Sequence, residues 1–277
     1  MADFIDSLNG IIWSNWLVYL CLGAGAYFTL VTLFLQIRCL PDMIQQLKAG
    51  ESSEQGISSF QSLMISLAGR VGVGNIAGVA TAIAFGGPGA VFWMWLVALL
   101  GSATSFVECC LAQIYKEPDR DTGEYRGGPA FYIEKAYKHT SARPFMLVYA
   151  VIFAICMLLA TSYFLPGIQA NGVAAAVDNA WGVNVWISAA VMAVLLGFII
   201  IGGVKRIANF ASMVVPFMAG IYIIVAIIVL FANASDIPHV FGLIFRAAFD
   251  KEAAFSGMLG AAIMWGVKRG IYSNEAG

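Results

Sequence analysis

The sequence predicts an all-α fold, a polytopic bundle of membrane-crossing helices, and three observations predict it. Hydrophobic residues make up 60% of the 277-residue chain and charged residues 11%, against about 45–50% and about 25% in soluble domains. The charge is gathered in connectors between apolar runs of the roughly 20 residues that a bilayer-crossing helix needs. Two of those runs are interrupted near their middle by glycine and positive charge. An interior glycine costs about 0.5–1 kcal/mol relative to alanine, and an arginine near the bilayer centre about 2.5–3.5 kcal/mol on insertion scales. An ordinary span tolerates neither, so both runs call for a special explanation.

Membrane lipid is therefore the surrounding medium. A formal net charge of −1 without basic clusters argues against nucleic acid as a partner, which needs a concentrated basic footprint. The five cysteines (Cys21, Cys39, Cys109, Cys110, Cys156) lie in or beside apolar runs with no metal-ligand spacing, so neither a metal site nor a disulfide framework is expected. His139 and His239 are isolated.

Taken in order, Ile11–Gln36 is the first span; it follows Asp3 and Asp6 without a positive n-region and so reads as a span, not a cleaved signal. Arg38 and Pro41 end it. In the connector 41–57, Met43, Ile44 and Leu47 have helical spacing and 50–56 reads as a loop. The second span, 58–85, contains the first interruption. Gly86, Gly87, Pro88 and Gly89 form a tight turn, and Ala90–Tyr115 returns with Phe92, Trp93 and Trp95 as interfacial aromatics. Within the polar stretch 116–143, Pro129–Tyr137 predicts a short interfacial helix. Pro144–Leu165 is the fourth span, kinked at Pro166 and continued by IQANGVAAAV toward Asp178 and Trp181. Val183–Ile201 is the fifth and Ile207–Phe231 the sixth. Ile237–Phe249 is amphipathic and too short to cross, hence a surface helix. The seventh span starts near Ala253.

Connectors 37–57, 116–143 and 203–206 hold Arg38, Lys48, Lys116, Arg120, Arg126, Lys135, Lys138, Arg143, Lys205 and Arg206; the opposite side has Arg246 and Lys251. By the positive-inside rule the first set is cytoplasmic and the amino terminus outside.

The first interruption is SLAGRVGVGNIAGVAT, residues 66–81. Non-helical backbone at membrane depth is tolerated only where it is buried in protein or lines a cavity, so the segment predicts a helix broken at Arg70–Asn75. Freed amides and carbonyls at such a break suit a small ion or zwitterion. The last span, 255–277, repeats the anomaly at Lys268, Arg269 and Gly270, with Asn274 five residues after Arg269 as Asn75 is after Arg70. Two interrupted spans of opposite direction point to an inverted-repeat transporter with its substrate between them. The bland reading is that Arg70, Lys268 and Arg269 only pair with acids such as Glu108 or Glu275. Gly72, Gly74 and Gly78 loosely imitate a dinucleotide fingerprint, but the strand and βαβ unit which that motif needs are missing.

GRVGVGNIAGVATAIAFGGPGAVFWMW (69–95), YRGGPAFYIEKAY (125–137) and SNEAG (273–277) resemble the alanine or glycine:cation symporter family over nearly the whole chain. The resemblance implies a sodium-coupled uptake carrier for alanine or glycine in a prokaryotic inner membrane, working by alternating access. It implies the LeuT-type five-plus-five inverted-repeat fold in a single transmembrane domain: 11–36 as an extra leading helix, 58–231 as the first repeat and 253–277 as the start of the second. Members of the family run on for several more spans, so an incomplete carrier is expected. Gly72, Val73, Gly74 and Asn75 resemble the GLGN break of the neurotransmitter:sodium symporters. That match implies Asn75 as a ligand of sodium or substrate, the carbonyls of Ala68 and Val71 as sodium ligands, and the amides after the break, at Gly72 and Gly74, as the place for a carboxylate. Trp265 and Gly270, at the second interruption, would line the pocket, though a tryptophan there is core packing as often. Gln169 would bond the substrate or, equally, make a helix-packing hydrogen bond. No cofactor is implied beyond Na+ as the coupling ion. The alternatives are a sodium-independent exchanger or an ion channel on the same half-fold. An enzyme is disfavoured, since Ser66, Ser105, Ser162 and Ser212 have no histidine nearby in sequence.

Overall fold

The structure, a computed structural model, describes residues 2–49, 56–121, 123–249 and 258–272. With no water in the bilayer to bond backbone groups, apolar segments satisfy them internally as helices. Helices α1 (Ala2–Ile12), α2 (Asn15–Val31), α3 (Leu35–Arg38) and α4 (Leu40–Ala49) open the chain. Then come α5 (Ser59–Arg70), α6 (Val73–Gly86) and α7 (Gly89–Tyr115). A two-stranded antiparallel ladder of β1 (Glu117–Pro118) and β2 (Tyr125–Arg126) leads to α8 (Pro129–Ala136) and α9 (Arg143–Leu159). A π-helical turn, Ala160–Phe164, joins α9 to α10 (Leu165–Trp181), and α11 (Val185–Ile200), α12 (Gly203–Ala232), α13 (Ile237–Phe249) and α14 (Met258–Tyr272) follow. Among the described residues, five stretches are long and apolar enough to cross a membrane: Asn9–Val31, Ser59–Gly86, Gly89–Tyr115, Arg143–Trp181 and Gly203–Ala232. α11, at 16 residues, is shorter, as is the described part of the last span.

Several boundaries have legible causes. Ser58 accepts from the Gln61 amide at 3.2 Å while the Gln61 side chain accepts from the Ser58 amide at 2.9 Å, a capping box that starts α5. Gly87, with φ +70°, makes the turn between α6 and α7, a conformation open to glycine without a Cβ clash. Pro166 ends no helix. The π turn lies just before it, and the run Arg143–Trp181 continues as the kinked reading expected. α13 has the bounds predicted for the surface helix.

Two predictions need correction. The first span is not one helix over 11–36. Ser14, in extended conformation, starts α2 afresh, and Leu33 and Phe34, both at φ 54°, end it by left-handed turns. Such a conformation costs a non-glycine residue roughly 1–2 kcal/mol. Here the Phe34 amide donates to the Thr29 carbonyl at 2.8 Å, and the Gln36 side chain donates to Thr29 Oγ1 at 3.1 Å. The last span, in turn, is not interrupted at Lys268–Gly270: α14 runs through all three to Tyr272. Lysine and arginine are good helix formers, and a lone glycine costs only about 1 kcal/mol. Ser273–Gly277, including SNEAG, and the start of the span at 253–257 lie outside the described residues.

The chain divides into two compact units. One comprises Met1–Ile44, Gly74–Ser105 and Phe217–Glu275, the other Gln45–Val73, Phe106–Pro216 and Ala276–Gly277. In the first, Val267 of α14 is completely buried against Val18 of α2 and Val97 of α7, with Leu22, Ile263 and Ile271 around them. In the second, Met64 of α5 packs on Ala211 and Val215 of α12, flanked by Ile65, Leu67 and Ala68. The Gln61 side chain donates to Asn209 at 2.7 Å, fastening the same pair of helices.

Candidate functional site: the break between α5 and α6

The helix predicted to break does so between Arg70 and Val73. Val71 leaves helical geometry at φ −104°, ψ 68°, and its amide still bonds the Leu67 carbonyl at 2.9 Å. The last carbonyls of α5, Ala68 among them, thereby reach a helix end, where the regular i+4 donor is lost. On the far side, the Val73 amide donates to Oε1 of Gln169 at 2.9 Å. A side chain of α10 thus supplies the acceptor that the broken ladder lacks.

The same face of α10 explains two glycines. A Cβ at Gly72 would lie 2.8 Å from Nε2 of Gln169, and a Cβ at Gly172, one helical turn beyond, would lie 2.4 Å from Val73 Cγ1. Real Cβ atoms do not approach that closely, so Gln169 and Gly172 clasp the break between them. Sequence reasoning picked out Gln169 and missed Gly172, although the three-residue spacing puts both on one face of a helix.

In the other unit, α6 carries a stripe of small residues, Gly74, Gly78, Ala82 and Gly86, four apart and so on one face. A Cβ at Gly74 would fall 2.2 Å from the Tyr272 ring, at Gly78 3.3 Å from Arg269 Cδ, and at Gly86 3.0 Å from Trp265 Cβ. Rising positions on α6 meet falling positions on α14, which makes the pair antiparallel. Two glycines of the loose dinucleotide pattern, Gly74 and Gly78, serve this small-residue packing, while Gly72 faces Gln169.

That register shows what two predicted site residues, Trp265 and Gly270, pack on. Trp265 does not stand at a break. It stacks on Phe85, with centroids 5.1 Å apart, and meets α6 at Gly86, about 18 Å along the helix from Gly74 at 1.5 Å per residue. Gly270 faces α7, where a Cβ would lie 2.8 Å from Val97 Cβ, and Gly266 likewise meets the Ala90 carbonyl at 2.6 Å. The cations of α14 lie against aromatic faces: Lys268 Nζ is 5.8 Å from the Trp13 ring centroid and 6.0 Å from that of Trp265, and the Arg269 guanidinium is 5.7 Å from Trp265. Such contacts are worth about 0.5–2 kcal/mol each. Tyr272, overlooked in the sequence, is the α14 residue that reaches the start of α6; its spacing from Trp265 and Arg269, seven and three residues, marks the shared face.

Comparison with known proteins shows the family of the chain. The sequence pattern of the sodium:alanine symporter family matches residues 1–277. The chain is 54% identical over 277 residues to the putative sodium/proton-dependent alanine carrier protein YrbD of Bacillus subtilis, covering all of this chain and 55% of that protein. It is 46% identical over 279 residues to the probable sodium/glutamine symporter GlnT of the same organism, covering 56% of it. Against the sodium/alanine symporter AgcS of Methanococcus maripaludis the identity is 41% over 279 residues, with 61% of that protein covered. The chain spans little more than half the length of these relatives, all three of which carry transporter names and none an enzyme's.

Proposed function

The chain belongs to the sodium:alanine symporter family, and we propose that it takes part in sodium-coupled symport of alanine or glycine into the cell by alternating access. The observation that carries the reading is the break itself, with the Val73 amide held by Gln169 and the flanking positions kept as glycine. We assign the coupling Na+ to the carbonyls of Ala68 and Val71 and the side-chain oxygen of Asn75, since hard cations take oxygen ligands. The substrate carboxylate is assigned to the amides of Gly72, Gly74 and Asn75, at the positive end of α6. Gln169 keeps Oε1 on Val73 and offers Nε2 to the substrate. Driving the carrier with one Na+ supplies about 2.3 kcal/mol per 100 mV of membrane potential, which is usable only if ion and substrate stabilise the same state.

The wider frame we propose is a LeuT-type inverted repeat, with α2 as the extra leading helix, in a prokaryotic inner membrane with the amino terminus outside. A cysteine placed at Gly123 should then react only from the cytoplasmic side. The deciding experiment is uptake of labelled alanine and glycine into proteoliposomes by the protein as its gene encodes it. Uptake driven by an inward sodium gradient is expected; uptake indifferent to sodium would overturn the coupling.

A further inference from the structure

We infer that Tyr272 limits the substrate's side chain to about a methyl group; this rests on the assignment of the carboxylate to the first turn of α6. The Tyr272 ring occupies the place where residue 74 would carry a Cβ: Cε1 lies 2.2 Å, Cζ 2.7 Å and Oη 2.8 Å from that point. The ring edge and hydroxyl therefore rest on the backbone of α6 one residue after Val73. The amides of a first helical turn point away from the helix body, because they have no acceptor within it. A carboxylate bound by them places its Cα, and the side chain on it, in the shell next to the Gly74 backbone. Tyr272 fills part of that shell.

The ring is held there by its own helix. Arg269, one turn earlier, rests in the notch at Gly78, and Trp265 stacks on Phe85. Val267 and Gly270 lock the opposite face of α14 against α7. Three contacts of α14 along α6 fix the register, and with it the place of the Tyr272 backbone beside Gly74. A rigid wall at this point leaves room for glycine and alanine and meets the γ-carbon of anything longer. Gly74 is then small for the sake of the wall, and the wall sets the size of the substrate.

The test uses the protein as its gene encodes it, in proteoliposomes under an inward sodium gradient with labelled alanine, and reads competition by glycine, 2-aminobutyrate and valine. Tyr272→Phe keeps the ring and is expected to keep the size profile. Tyr272→Ala is expected to improve competition by 2-aminobutyrate at least about tenfold relative to alanine, the scale on which one methylene is discriminated in a closed pocket. Tyr272→Leu serves as a second truncation should the alanine variant not fold. Gly74→Ala is expected to abolish uptake, and Tyr272→Ala combined with it to restore uptake. An unmodified protein that takes up alanine with sodium, together with truncations that fold and leave the size profile unchanged, would overturn the size limit alone. Absence of sodium-driven uptake by the unmodified protein would overturn the carrier reading and this one with it.

Discussion

Between Arg70 and Val73 the helical ladder is interrupted; between Lys268 and Gly270 it is continuous. Both places set positive charge beside glycine in an apolar run, so charge and glycine by themselves do not break a membrane helix. What differs is the neighbourhood. At the first, a side-chain oxygen from α10 accepts from the Val73 amide, and Gly72 has no room for a Cβ beneath the same amide group. At the second, Gly266 and Gly270 sit four apart on one face and admit the α7 backbone and Val97 to close contact while the ladder stays whole. A helix breaks where another element replaces the lost hydrogen bond, because an unsatisfied buried amide costs about 1–3 kcal/mol.

The comparison can be broken in several places. The largest effect is expected at Gly172, where Val would drive its methyl groups into the Val73 side chain, only 2.4 Å from the Cβ position. A loss of about 3 kcal/mol, the upper part of the overpacking range, should appear as a lowered unfolding midpoint in detergent. Next, Gln169→Leu removes the acceptor at Val73 and should cost about 1–3 kcal/mol. Gln169→Glu, which keeps an acceptor oxygen, should recover much of it, and equal losses in the two variants would show that the hydrogen bond does not hold the break. At the unbroken site, Gly270→Ala gains up to about 1 kcal/mol of helix propensity but collides with Val97. We expect a net loss of about 1–2 kcal/mol by the overpacking rule, reversed by Val97→Ala in the double variant. Failure of that reversal in a thermal-shift measurement would deny close packing as the reason for glycine at 270.

The smallest effect is expected away from both helices and calibrates the others. Lys135, bonded to Glu117 at 2.7 Å and to the Tyr115 carbonyl at 2.9 Å, holds the Glu117 carboxyl below its ordinary value. A depressed carboxylate contributes above its unfolded pKa, and the contribution fades as pH falls through the folded one. Glu117→Gln should therefore leave the unfolding midpoint at pH 7 nearly unchanged, as exposed pairs contribute little, and should flatten its decline only on the acid side. An equal change at both pH values would contradict the assignment.

The sequence by itself determined the class of fold, the place of the first break, the amphipathic α13 and the continuation of the fourth span past Pro166. These rest on composition, run length and the bonding needs of backbone in lipid, all of which are local. Gln169 was legible as a polar residue in a span, and its partner was not. Only the tertiary structure decided that α14 is unbroken at Gly270, that Trp265 packs on Phe85 three turns from Gly74, that Gly172 meets Val73 at the break, and that Tyr272 meets Gly74. Each of those depends on which face of a helix meets which neighbour. A one-residue change in register rotates a helical contact by about 100°, and no single-chain pattern of apolar and small residues specifies register against a partner it does not contain.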